Sequence, residues 1–120
     1  MVASGNYYIL VNKATGKVMD LQGASTVNET NIQVYPSNNT DAQLFKLVRV
    51  TDGIASYYSI EPKLTPGKLV SVEGNGITGN NVKIYDDLHN SKQRFWLRRE
   101  TDGYYLICHI FTLKCLTAQN

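Results

Sequence analysis

The sequence predicts a closed all-β domain built from copies of one four-strand unit. Three observations predict it. First, the chain repeats itself at a spacing of about 50 residues, a period that marks stacked or radially repeated architectures. Tyr7-x-Ile9 returns as Tyr58-x-Ile60 and as Tyr105-x-Ile107, and Gly16-Lys17 returns as Gly67-Lys68, with Lys114 at the third position. Asn31-Ile32-Gln33-Val34-Tyr35 returns as Asn81-Val82-Lys83-Ile84-Tyr85, and Gln43-x-Phe45 as Gln93-x-Phe95. Second, no stretch carries apolar residues at helical spacing. Third, short β-branched and aromatic runs recur between clusters of Gly, Pro, Asn, Asp and Ser.

Each strand follows from these runs. The first unit supplies strands over residues 7–12, 17–22, 31–36 and 43–50, and the second over 57–62, 68–73, 81–86 and 93–99. The third supplies 104–111 and 114–118, where the sequence stops. Thr51-Asp52-Gly53 and Thr101-Asp102-Gly103 are Asp-Gly turn signals that join one unit to the next. Gly16, and Pro62 with Pro66 and Gly67, mark the connections between first and second strands. A single unit exposes an apolar face, so the units are expected to pack around a shared axis. Matching apolar positions give the expected core: Ile9, Val18, Leu21, Ile32, Val34, Phe45 and Leu47, then Ile60, Leu69, Val72, Val82, Ile84, Phe95 and Leu97.

A length of 120 residues fits one domain, residues 1–120, with units at about 5–50, 54–100 and 103–120. The net charge of +2 is too small for a nucleic-acid footprint, and Arg94, Arg98 and Arg99 read as a solvated strand face. No apolar run reaches membrane-spanning length. Met1–Gly5 lacks the pattern of a signal peptide. Cys108 and Cys115 flank an expected hairpin turn and could face each other as a disulfide or as two thiols. With only His89 and His109 beside them, no metal-ligand cluster is expected.

The ordered motifs Gly16-Lys17-x-x-Asp20, Gly23-Ala24-Ser25-Thr26, Asn31–Tyr35 and Asn38-Asn39-Thr40-Asp41-Ala42-Gln43-x-Phe45 resemble those of the ricin B-type lectin family. The last is similar to the Gln-x-Trp motif of that family, with Phe in place of Trp. The resemblance covers essentially the whole chain and implies a β-trefoil with about ten of its twelve strands present. It also implies a non-catalytic sugar-binding domain. The third-unit equivalents of Tyr35 and Gln43 are absent, which leaves a sheet edge unprotected. A truncated module, a shortened variant and a homo-oligomer that completes the third unit all fit this pattern.

A shallow sugar site needs an aromatic face, a carboxylate and one or two amides. By the resemblance, Asp20 is the main hydroxyl acceptor, Tyr35 the stacking platform and Gln33 a supporting amide. Gln43 orients Asp20 from behind, and Asn39 covers for the Asn that the family often places where Ala42 stands. Strand alternation puts Gln33 and Tyr35 on one face, with Ile32 and Val34 toward the core. In the second unit Asp20 becomes Ser71 and Gln33 becomes Lys83, while Tyr85 and Gln93 persist. The first unit is therefore the expected strong site. Tyr85 and Gln93 form a weaker second one, with Glu73 and Asp86 near enough to replace the lost carboxylate.

The function this implies is binding of a galactose-type sugar or plant polysaccharide, without cofactor or catalysis. Nothing in the sequence arranges a nucleophile with a base. The expected partners are the carbohydrate and a tethered glycoside hydrolase or toxin domain, with no nucleic acid and no membrane insertion. The expected setting is secreted or extracellular, within a larger protein; an intracellular one is compatible with the missing signal peptide. The alternative is a protein-binding trefoil, such as a protease inhibitor or toxin-complex subunit.

Overall fold

The computed structural model describes residues 5–12, 15–52, 55–72, 82–88, 93–99, 104–109 and 115–119. Glu73, His89, Gly53, Gly103, Asn81 and Lys114 lie outside them. Ten strands are present among the described residues: β1 (Tyr7–Tyr8), β2 (Val18–Leu21), β3 (Ile32–Tyr35), β4 (Phe45–Asp52), β5 (Ala55–Pro62), β6 (Lys68–Val72), β7 (Val82–Asp86), β8 (Phe95–Arg99), β9 (Tyr104–His109) and β10 (Cys115–Gln119). Two single-turn 3-10 segments, Gln22–Ala24 and Asp41–Gln43, interrupt them.

The topology follows the repeat. A six-stranded antiparallel sheet runs in the order β1-β4-β5-β8-β9-β10. The middle strands of each full unit leave it as separate hairpins, β2–β3 and β6–β7. Outer strands in the shared sheet and inner strands as caps make this an all-β, β-trefoil fold. Asp52 pairs with Ala55, so only Gly53 and Ile54 separate the two full units. Cys108 and Cys115 are register partners across the β9–β10 hairpin.

Several strand boundaries differ from those expected, and two of the shifts have clear local causes. The expected first strand is cut short because the chain turns away from the sheet after Tyr8. Met19 N–H donates to Leu10 O at 2.9 Å and Asn12 N–H to Lys17 O at 2.7 Å, so this stretch serves the hairpin cap instead. Gly16 makes the tight return possible with φ +73°, and Gly67 does the same in the second unit with φ +93°. The fourth strand starts two residues late because Asp41–Gln43 coils into its 3-10 turn.

The sheet and both caps close over one cluster that includes Leu10, Met19, Phe45, Leu47, Tyr58, Ile60, Val70, Phe95 and Ile107. Phe45 and Phe95 of the two Gln-x-Phe motifs are buried in it. A second cluster of Leu21, Ala42 and Ile84 joins the two caps.

Two core expectations are corrected here. Ile9 is half-buried, and its neighbour Leu10 takes the core position. Val34 is 52% exposed, whereas its counterpart Ile84 is fully buried. The difference lies in contacts between units. Glu29 N–H donates to Ile84 O and Ile84 N–H to Thr30 O, both at 3.0 Å, so a segment of the first unit lies along β7. Among the described residues, no backbone segment is hydrogen-bonded in the same way to Val34.

Candidate functional site

Asp20 sits in β2 directly opposite Gln33 of β3. All four residues of β2 are buried, so the carboxylate is held against the cap and is only 5% exposed. Gln33 Nε2 donates to Asp20 Oδ1 at 3.0 Å. Gln43 Nε2 donates to Asp20 Oδ2 at 2.9 Å. Each carboxylate oxygen thus holds one amide donor and keeps acceptor capacity for a ligand.

Gln43 earns its burial through three partners. Besides Asp20, its Nε2 donates to Pro36 O at 2.9 Å, and its Oε1 accepts from Asn38 N–H at 2.8 Å. The side chain therefore pins the chain that leaves β3 and fixes Asp20 with the same amide group. The 3-10 turn at Asp41–Gln43 aims it inward.

Asp20 and Gln33 line an open cleft of about 510 Å³, together with Leu21, Gly23, Ala24, Tyr35, Asn38, Thr40, Asp41, Ala42 and Leu64. That volume lies within the usual range for small-molecule sites. Tyr35, at the end of β3, is 48% exposed and offers its ring to the cleft rather than to the core. Of the residues singled out from sequence, Asp20, Gln33 and Tyr35 line the cleft, and Gln43 stands behind Asp20.

Asn39 does not line this cleft and occupies a left-handed turn position with φ 57°. Its neighbour Asn38 lines the cleft, with Oδ1 accepting from Thr40 N–H at 3.2 Å and Oγ1–H at 2.7 Å. Sequence reasoning also missed Asp41 and Leu64. Asp41 makes a 3.4 Å ion pair with Lys63, and Leu64 follows it on the turn between β5 and β6. Both depend on how the second unit leans on the first. The only sequence signal for them was their place in loops beside the motif.

The second unit repeats the scaffold without the carboxylate. Gln93 Nε2 donates to Asp86 O at 2.7 Å and to Ser71 Oγ at 3.0 Å, while its Oε1 accepts from Leu88 N–H at 2.8 Å. The Ser71 hydroxyl in turn donates to Leu69 O at 3.3 Å. Lys83, opposite Ser71, is buried and ion-paired with Glu29 of the first unit. Its ammonium lies 5.7 Å from the centre of the Tyr85 ring. The Asp86 carboxylate, a candidate replacement acceptor, receives Asn28 Nδ2 at 3.0 Å. Lys83 and Asp86 thus bind residues of the first unit, Glu29 and Asn28, while Gln93 bonds within its own unit.

Comparison with known proteins gives the same picture of the fold. The profile of the family described as ricin-type beta-trefoil lectin domain-like matches residues 2–85. ThreeFoil, a designed threefold-symmetric protein, is 33% identical with a TM-score of 0.79, over 91% of this chain and 76% of its own. An exo-β-1,3-galactanase from Clostridium thermocellum is 22% identical with a TM-score of 0.78; all of this chain is covered, but it spans only 28% of that enzyme. The ricin B-like lectin of Macrolepiota procera, solved with lactose, is 20% identical with a TM-score of 0.68, over 99% of this chain and 87% of its own. No curated protein sequence is detectably similar.

Proposed function

Because this chain belongs to the ricin-type beta-trefoil lectin domain-like family, we propose that it is a non-catalytic carbohydrate-binding domain whose principal site is the Asp20–Tyr35 cleft. The observation that carries this reading is the buried Asp20 carboxylate, held by two amides at the floor of an open cleft beside an exposed tyrosine. A charged acceptor with a fixed orientation suits two neighbouring sugar hydroxyls, and such charge-assisted bonds are the stronger kind. The Tyr35 ring suits the C–H face of a pyranose. Galactose-type sugars, free or within a plant polysaccharide, present that pairing of a C–H face with adjacent hydroxyls. The lactose-bound Macrolepiota lectin and the Clostridium galactanase lend support as structural neighbours.

One open site of this kind binds weakly, with a Kd of about 1 mM, or roughly −4 kcal/mol. Useful affinity then comes from tethering to another domain or from association of several sites. Such a weak site suits a targeting module tethered to an extracellular hydrolase or toxin.

The test is a glycan-array screen followed by titration of the best ligand into the parent, Tyr35→Ala and Tyr35→Phe. The alanine variant should lose roughly tenfold or more in affinity, about 1.4 kcal/mol, while phenylalanine keeps the stacking face. The reading fails if the folded parent binds no glycan, or if Tyr35→Ala binds as the parent does.

A further inference from the structure

Beside Val34 lies a second, smaller cleft of about 120 Å³, lined by Leu10, Met19, Ile32, Val34 and Val82 with the amides Asn12 and Gln33. Its lining is largely apolar. It opens along the edge of β3, and the backbone of that edge has a definite polarity. Met19 N–H points away from β3, to Leu10 O. The Met19–Val34 pair is therefore of the non-hydrogen-bonded kind, in which both residues direct N–H and C=O outward. Val34 thus presents a donor and an acceptor at an open strand edge, above an apolar cleft.

The second unit shows what such an edge takes. There Ile84 pairs with Val70 in the same register position, and its outward groups are met by Thr30 O and Glu29 N–H at 3.0 Å each. Asn31 adds a bridge to Lys83, and Ile84 is buried. An extended backbone segment is the natural occupant of this edge.

We propose that the β3 edge is a self-association surface, occupied by β3 of a second copy of this chain. An antiparallel edge is self-complementary about a twofold axis. With Val34 opposite Val34 of the partner, each N–H meets the other C=O, giving the two bonds that Ile84 receives within one chain. The edge carries none of the usual blocks to such pairing: residues 32–35 include no Lys, Arg, Asp or Glu, and the only proline, Pro36, lies just beyond them. In the second unit the charged Lys83 stands where Gln33 does, and Asp86 where Pro36 does. Pairing would bury the exposed Val34 and the two apolar clefts. It would also set Gln33 and Tyr35 of both copies on the same face of a continuous β2-β3-β3-β2 ribbon. Two clefts on one face supply the avidity that a single weak site lacks.

The experiment is sedimentation equilibrium of the full chain across a dilution series, with hydrogen exchange at the Val34 amide, for the parent and Val34→Lys. Circular dichroism checks folding of the variant. The expected result is a parent of twice the chain mass at high concentration, whose Val34 amide loses protection on dilution. Val34→Lys should be folded and monomeric. Should that variant not fold, the dilution-dependent protection of the parent's Val34 amide decides alone. Three results overturn the proposal: a parent monomeric at every concentration, a dimer whose Val34 amide exchanges freely, or a monomer whose Val34 amide is protected. The last would mean that a segment of the same polypeptide covers the edge.

Discussion

Replacing Asp20 with serine is expected to abolish sugar binding and leave the fold standing, whereas alanine should abolish binding and also destabilise the fold. The second unit is the natural control, because Ser71 already fills this position there and still accepts Gln93 Nε2 at 3.0 Å. In Asp20→Ser, the Gln43 amide keeps an acceptor and the cost of burying a charge disappears, so stability should stay near that of the parent. In Asp20→Ala, Gln43 keeps Pro36 O but loses the carboxylate, which costs about 1–3 kcal/mol. For a domain of this size that lowers Tm by roughly 3–6 °C per kcal/mol. Hydrogen bonds to a charged acceptor contribute about 1.5–3 kcal/mol each, so losing two weakens binding by about a hundredfold or more. Starting from millimolar affinity, neither variant should show measurable binding. Thermal denaturation beside ligand titration reads both effects. Parent-like binding by Asp20→Ser would move the site out of the first unit.

Much of this arrangement was legible in the sequence because it is local or repeated. The strand–turn–strand rhythm and the place of Gln33 and Tyr35 on one face follow from alternation and from motifs that occur twice. Gln43 was expected to orient Asp20 and does contact it; Gln93 persists where the aspartate is gone, and both amides bind backbone groups.

What was not legible depends on contacts between units. Nothing near Val34 in sequence says that it is exposed while Ile84 is covered, because the cover comes from residues 29–31, far away in the chain. Leu64 reaches the cleft from the second unit for the same reason. Lys83 looked like a simple loss of a ligand amide. Its ion pair with Glu29 gives it a positive role, holding the two caps together. The early end of β1 has a local cause that periodicity cannot show, since Leu10 satisfies the strand pattern whether it pairs in the sheet or with Met19. That Asn38 rather than Asn39 lines the cleft is equally hidden, since it depends on the left-handed turn at Asn39.

Truncating Gln43 or Gln93 to alanine should destabilise the chain about equally, while only Gln43→Ala impairs sugar binding. Each amide is 1% exposed and each satisfies one backbone N–H and one backbone C=O in its own unit. Those groups cannot all reach water once the side chain is gone, and leaving a buried polar group unpaired costs about 1–3 kcal/mol. Two such groups place the loss at roughly 2–6 kcal/mol in either unit, a large part of the stability of an ordinary domain. The functional consequences then diverge, because Gln43 Nε2 also fixes the Asp20 carboxylate, while Gln93 Nε2 reaches only Ser71. Denaturant unfolding should give similar losses in midpoint for the two variants. Titration of each, at a temperature where it remains folded, should show weakened binding for Gln43→Ala and parent-like binding for Gln93→Ala. Equal losses of binding would mean that the second unit also holds ligand. A midpoint shift confined to Gln43→Ala would mean that water replaces the Gln93 amide at Leu88 and Asp86, and that the repeated motif is structural in only one of its two positions.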